Sequence, residues 1–431
     1  MSSDTIEERN EPDVQIQMSG RKVVWPIYAL FTGNIVSCVG NTLTLLAIPW
    51  FVLQTTGSVA QAGIVGFFSL LSTIVSSALS SVLVERLGYK RTSVVGDLLS
   101  GLTILLVPLL YHTVGLAFWE LLALVFIGGL LRAPGNTARI TLLPSLAELA
   151  DMRLERANAF AEGVVQVSVF LGAPLAGVLI ASIGTSNLLW LDAASFAFSA
   201  LVIGLFLPTH MPVEKQARVE KEAGASEKQG YLIELREGLS FTKDAVLGTL
   251  VIVFILTNML DSASSAVVTP AYILQTYHSA IPFGLLYAAL GGMGFVGTLI
   301  FAAIGHRLPR RLTFGISFVI GGALRFWILL IPNFPIQLAW FALAGLAFGP
   351  INPLIFTVIQ ERTPREKLAR IMGVGGAMVM AGMPLGALAS GFVVTWIGLR
   401  ATLIVMGAVY LLATLSILVN PKLKQMEKSA A

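Results

Sequence analysis

Asp261 sits in an apolar stretch with Asn258 three residues before it, Ser265 four after and Thr269 four further on. On a helix that spacing makes a single polar face. A carboxylate there can take up a proton when water leaves and give it back when water or a cation returns. The same acid can instead hydrogen-bond a neighbouring helix. Glu120 follows Phe118 and Trp119 near the start of another apolar stretch. It reads either as a second proton or cation site, or as an acid at headgroup level beside an interfacial tryptophan. Asn34, Ser37, Asn41 and Thr44 recur at intervals of 3, 4 and 3 residues. Their neutral donors and acceptors suit varied substrates, and hydrogen bonding between helices is the other reading. Pro350, Asn352 and Pro353 interrupt a further stretch. Carbonyls freed by proline are tolerated at membrane depth where they line a cavity or find new partners. Arg325 needs a buried partner or must snorkel, and the sequence names no partner.

The elements that position these side chains are membrane helices. Twelve apolar stretches run at about 26–53, 61–83, 93–111, 115–133, 161–182, 188–207, 246–268, 282–304, 313–332, 336–358, 371–393 and 400–419. The hydrocarbon core is ~30 Å thick, so a helix of ~20 apolar residues crosses it. The chain is 55% hydrophobic and 12% charged, where a soluble domain carries about 25% charge. The expected class is an all-α membrane protein with the lipid bilayer as its solvent. A net charge of +4 is no nucleic-acid signature, because the basic residues flank the apolar stretches. Cys38, the single cysteine, rules out an internal disulfide and reads as a packing residue or a reactive thiol. His112, His210, His278 and His306 are scattered, no phosphate-binding glycine loop is present, and no nucleophile–base pair stands out. No metal, cofactor or enzymatic chemistry is expected.

Charge sets the expected orientation. With the N-terminus in the cytoplasm, 26 of the 28 Lys and Arg residues fall on that side, with Arg400 outside and Arg325 within a span. This is the positive-inside pattern, and it places both termini in the cytoplasm. The acidic first residues (Asp4, Glu7, Glu8, Glu11, Asp13) have no apolar core and do not read as a signal peptide. The expected organisation is a tail at 1–24, a six-helix half at 25–207, a polar linker at 208–245, a second half at 246–420 and a tail at 421–431. Within the linker, the apolar residues of 231–239 fall on one helical face and predict a short surface helix.

The halves repeat. Gly129–Asn136 aligns with Gly345–Asn352, Gly172-Ala173-Pro174-Leu175 with Gly382-Met383-Pro384-Leu385, and Arg86-Leu87 with Arg307-Leu308. Six spans per half predicts parallel repeats about an axis along the membrane normal, with a cavity between them.

Ser81-Val82-Leu83-Val84-Glu85-Arg86-Leu87-Gly88-Tyr89-Lys90-Arg91 resembles the loop 2–3 signature of the major facilitator superfamily, Gly-x-Leu-x-Asp-Arg-x-Gly-Arg-Lys. The resemblance implies that superfamily's twelve-helix fold, with a pseudo-two-fold between halves and a cavity lined by span 7. It also implies a gate at Glu85, Arg86, Gly88 and Lys90, with a plain basic turn the alternative; Asp97, about one turn into span 3, is placed to pair with Arg86. Arg132 resembles the family's span 4 arginine, with gating and topology both open. Gly172, Pro174 and Gly177 resemble the antiporter signature of span 5, and close helix packing, shared with Gly382 and Pro384, is the alternative. Ala47–Ser58, Leu191–Phe196 with Asp192, and Gln360–Pro364 are similar to the macrolide-efflux and Tap-type exporter branch, which includes enterobactin exporters. Asp192 reads as structural there, and Asn41 stands where members commonly carry an acid.

The resulting expectation is a proton-coupled exporter of small amphipathic molecules, working as a monomer by alternating access in the bacterial inner membrane. Asp261 and then Glu120 would carry protons. The faces with Asn34, Ser37, Asn41, Thr44, Asn258, Ser265 and Asn352 would hold substrate. Export of a siderophore or other metabolite, a nutrient symporter and a non-transporting membrane sensor are the alternatives.

Overall fold

The structure is a computed structural model that describes residues 23–208, 245–363 and 365–420. Most of the expected linker, including the helix at 231–239, and most of both tails lie outside the described residues. Among the described residues, twelve helices are long and apolar enough to cross a membrane. They are α1 (Trp25–Thr56), α2 (Val59–Leu87), α3 (Tyr89–Thr113), α4 (Phe118–Leu149), α5 (Leu154–Ile183) and α6 (Thr185–Phe206). The second six are α7 (Val246–Tyr277), α8 (Ile281–Ile304), α9 (Arg310–Ile328), α10 (Phe334–Arg362), α11 (Arg365–Ile397) and α12 (Leu399–Val419).

Local sequence explains the ends. Ser58 accepts the Gln61 N–H at 3.2 Å, and Asn333 accepts that of Ile336 at 3.3 Å, so each caps the helix it precedes. Gly88, Gly184 and Gly398 join consecutive helices as single residues with φ of 79°, 84° and 80°, a region that favours glycine. Gly184 and Gly398 occupy equivalent links in the two halves. α10 is interrupted between Phe348 and Ile351, at Gly349-Pro350. α7 and α9 each contain a wider π turn, at Ser264–Val268 and Val319–Ala323.

One boundary expectation is corrected. The fourth and fifth stretches, read as ending at 133 and starting at 161, are continuous helix to Leu149 and from Leu154. Arg132 and Arg139 therefore both lie inside α4.

α1–α6 and α7–α12 form two halves that meet through small residues, as helices in lipid do. A methyl group at Gly63 of α2 would fall 2.8 Å from the Ala387 carbonyl of α11, and one at Gly177 of α5 would fall 2.7 Å from that of Ala280, just before α8. Trp50 of α1 stacks on Phe283 of α8, with ring centres 6.2 Å apart. All these contacts lie toward the face opposite residues 23 and 420. Toward the terminus-bearing face the halves part. A methyl at Gly163 of α5, or at Gly373 or Gly376 of α11, would meet nothing within 4 Å. The molecule is sealed at one face and open at the other.

That asymmetry carries a prediction. Gly177→Leu overpacks the sealed seam at a cost of about 1–3 kcal/mol, roughly a 5–150-fold shift in a two-state population. In a Cys38→Ser background, the thiol of Gly373→Cys is expected to react readily, and adding Gly177→Leu to lower its reactivity as the open face closes. Unchanged reactivity would sink the idea that this seam sets the conformation.

Candidate functional site: a central cavity and three interior acids

Below the sealed face lies a cavity of about 130 Å³. Its wall is mostly apolar, from Leu46, Ile48, Val65, Ile104, Val107, Leu124 and Phe283. Hydroxyls come from Thr44, Ser69, Thr103, Ser265 and Tyr287, and one charge from Arg132. Ligand pockets are typically about 300–1,000 Å³, so a drug-sized molecule fits only if the cavity widens or joins the open cleft. Of the seven residues expected to hold substrate, Thr44 and Ser265 line this cavity. Asn34 instead accepts from Arg139 at 3.3 Å. Ser37 is buried, and Asn41 has a buried amide oxygen without a partner. Asn258 donates to the Phe254 carbonyl at 2.9 Å. Asn352 is exposed beyond the break in α10.

The polar interior of the first half centres on Arg139. Its guanidinium donates to Asp97 of α3, to Ser93 at 3.0 Å and to Asn34 of α1. Ser199 of α6 donates to Asp97 at 2.6 Å. Both members of the ion pair are about 6–7% exposed, and four helices converge on it. The expected pairing of Asp97 with Arg86 is corrected. Arg86 is exposed at the open face, and Asp97 already holds Arg139. At the same turn Lys90 donates to the Leu207 carbonyl at 2.5 Å, tying the α2–α3 link to the end of α6. Glu85 is exposed beside Arg86.

The second half has its own pair. Arg325 of α9 donates to Asp261 of α7, and Tyr410 of α12 donates to the same carboxylate at 3.3 Å. This supplies the partner that the sequence left unnamed. The guanidinium also lies 5.4 Å from the ring centres of Phe326 and Phe348. Asp261 thus turns toward α9 and α12 and is not among the residues lining the cavity, whereas Ser265 is. Glu120 is corrected more sharply. Its Oε2 accepts the Ala117 N–H at 2.9 Å, so it caps the start of α4 away from the cavity. An acid in the first turn suits the positive end of a helix.

Asp192 of α6 is fully buried. Thr44 donates to its Oδ2, and its Oδ1 lies 3.1 Å from the Ser195 hydroxyl. Gly40 of α1 makes room for it, since a Cβ there would collide with the Asp192 carboxylate and the Ser195 hydroxyl. Gly172 of α5 packs on Thr42, beside Pro174 in the same helix. In α11, Gly382 lies against Ile255 of α7, and Pro384 is buried two residues on.

An apolar stretch ending at 133 leaves Arg139 outside the fourth span. A signal for it existed: it follows Arg132 by seven residues, two helical turns, so both lie on one face of α4. Gly40 and Trp50 carried no comparable signal.

Two six-helix halves around a central cavity, sealed at one face and parted at the other, define the architecture of an alternating-access membrane transporter. The profile of the Major Facilitator Superfamily matches residues 30–263 and again 250–430. The chain belongs to the Major Facilitator Superfamily. It is 30% identical to the multidrug efflux pump Tap of Mycolicibacterium fortuitum, over 93% of this chain and 97% of that protein. It is 27% identical to the enterobactin exporter EntS of Citrobacter koseri, over 83% of each. Among solved structures, the nucleoside transporter NupG superposes with a TM-score of 0.75 at 14% identity, covering 91% of this chain and 98% of that one.

Proposed function

We propose that this protein exports amphipathic small molecules from the bacterial cytoplasm across the inner membrane, driven by inward movement of protons. The observation that carries it is the cavity wall: apolar on most sides, dotted with hydroxyls and placed where two halves can rock about it. Such a wall binds by area and shape more than by fixed polar geometry, which suits substrates of varied structure. Similarity to Tap along nearly the whole chain supports export over uptake. In this reading the termini are cytoplasmic, the open face is inward, the protein acts as a monomer and no covalent chemistry occurs. Glu85, Arg86, Gly88 and Lys90 form the inner gate, with Asp97 and Arg139 as its buried anchor. Thr44, Ser265 and Arg132 contact substrate. Export of an acidic metabolite such as a siderophore is the second reading. It is favoured by Arg132 as the one charge on the wall and by the similarity to EntS.

Purified protein in proteoliposomes tests the proposal. With an imposed pH gradient, accumulation of ethidium, a rhodamine ester or tetracycline is expected, and a proton ionophore should collapse it. Gradient-independent flux would remove the proton coupling. No movement of these probes or of a catecholate siderophore would favour a membrane sensor.

A further inference from the structure

Three acids lie at the centre of the described helices, and they are not equivalent. Asp97 is bonded to Arg139 and Asp261 to Arg325. Asp192 has no Arg, Lys or His nitrogen within 4 Å among the described residues, although it is 0% exposed. Burying a carboxylate without a bonded cation costs several kcal/mol, and two hydroxyl donors offset little of that. A neutral carboxylic acid avoids the cost.

The hydrogen inventory points the same way. Ser195 Oγ carries one hydrogen but approaches two acceptors. The Asp192 backbone carbonyl lies 2.7 Å away and the Asp192 carboxyl oxygen Oδ1 lies 3.1 Å away. If the hydrogen goes to the nearer carbonyl, the contact with Oδ1 is a bond only when Oδ1 carries a hydrogen and donates it to Ser195. Thr44 donates to the other oxygen, Oδ2. The carboxyl group is then fully satisfied in its protonated form.

Its position connects it to the cavity. Thr44 bonds Asp192 and lines the cavity wall. Arg132 lines the same wall, with its guanidinium carbon 5.6 Å from the ring centre of Phe196, one helical turn along α6 from Asp192. The Nε of Arg132 is buried and has no hydrogen-bond partner. Other charged or titratable groups facing this site are few. α3 contributes Asp97, already held by Arg139 of α4. α1 contributes the Cys38 thiol, turned to Asn34. The acids of α5, Glu155 and Glu162, are exposed toward the open face.

We propose that Asp192 is the proton-carrying residue of this transporter, exchanging its proton with the cavity beside Thr44 and coupling that exchange to the position of Arg132. This role rests on proton-coupled export. When water reaches the Thr44 side, the carboxyl group turns to present its O–H there, that bond breaks, the proton leaves on water and a carboxylate remains. That charge draws the Arg132 guanidinium off the Phe196 ring and remodels the wall that touches substrate. Protonation reverses each step. Asp261 is bonded to Arg325 and Tyr410 and serves to bind α7, α9 and α12 together.

Infrared spectroscopy of the purified protein at neutral pH reads the acid directly. A carboxylic-acid C=O band is expected in the native protein. Asp192→Asn should remove it, and Asp261→Asn should leave it. Thr44→Val keeps the acid but narrows its route to water, so the band should persist and exchange with deuterium more slowly. It also keeps the test alive should Asp192→Asn fail to fold. In proteoliposomes, Asp192→Asn should bind a rhodamine ester yet release no protons on its addition. A band that survives Asp192→Asn, vanishes in Asp261→Asn or exchanges at the native rate in Thr44→Val overturns the assignment. So does normal proton release by Asp192→Asn. If the native protein itself moves dye without protons, proton coupling falls, and the infrared band still decides whether Asp192 holds a proton.

Discussion

Arg139→Met is expected to lower stability by about 3–5 kcal/mol, the usual cost of leaving one member of a buried ion pair alone. The pair is 6–7% exposed, so water cannot take over. The loss extends beyond Asp97, because Ser93, Asn34 and Ser199 share the same cluster. One side chain thus ties α1, α3, α4 and α6. Thermal unfolding followed by size exclusion should show a much lower midpoint and little monodisperse protein. A double change tests the cause. Removing both charges of a buried pair is often neutral or better, so Arg139→Met with Asp97→Leu should recover most of the midpoint. If single and double variants are equally unstable, packing volume and not uncompensated charge is responsible.

That cluster also shows where sequence stops. The twelve spans and the six-plus-six division were legible because bilayer thickness fixes a length and lipid fixes a composition, and both leave a mark on every helix. The loop signature placed Gly88 at a turn, and the turn does need glycine. What a span's composition does not carry is rotation about its own axis. Asp261 and Ser265 share a face in the helical pattern, yet Asp261 is taken up by Arg325 and Tyr410 while Ser265 lines the cavity. Asp97 and Arg139 stand 42 residues apart and Arg325 and Asp261 stand 64 apart. Either acid could as well have met a different helix. α4 was read as too short because Arg132, Asn136 and Arg139 lower its hydropathy, yet two of the three are interior residues with bonded or cavity-lining roles. Polar residues inside a helical bundle look like loop residues until their partners are known. Glu120 shows the converse. Its depth within an apolar stretch suggested function, and its backbone partner makes it a helix cap.

Arg86→Ala and Gly88→Val are expected to abolish transport while leaving insertion intact. Gly88 has φ 79° and ψ 156°, a region essentially confined to glycine. A β-branched residue there carries strain of about 1–3 kcal/mol, roughly a 5–150-fold shift in a two-state balance. The strain falls on a link already fixed from two sides, since Lys90 is bonded to the end of α6 and α2 ends at Leu87. Twisting that link moves the last turn of α2, which carries Glu85 and Arg86. These two are exposed now because the halves are parted at this face. When the face closes, the end of α2 approaches the start of α11, since the two helices already pack antiparallel at the sealed end. Glu85 then meets the positive end of a helix, and Arg86 is left to pair with an acid across the seam. Both side chains are exposed at the open face, so their loss should spare folding and penalise switching. Export in whole cells should fall to background at normal expression, and thiol labelling of Gly373→Cys should stay high. If both variants export at the native rate, the α2–α3 turn is not the inner gate, and closure must be carried by contacts elsewhere on the open face.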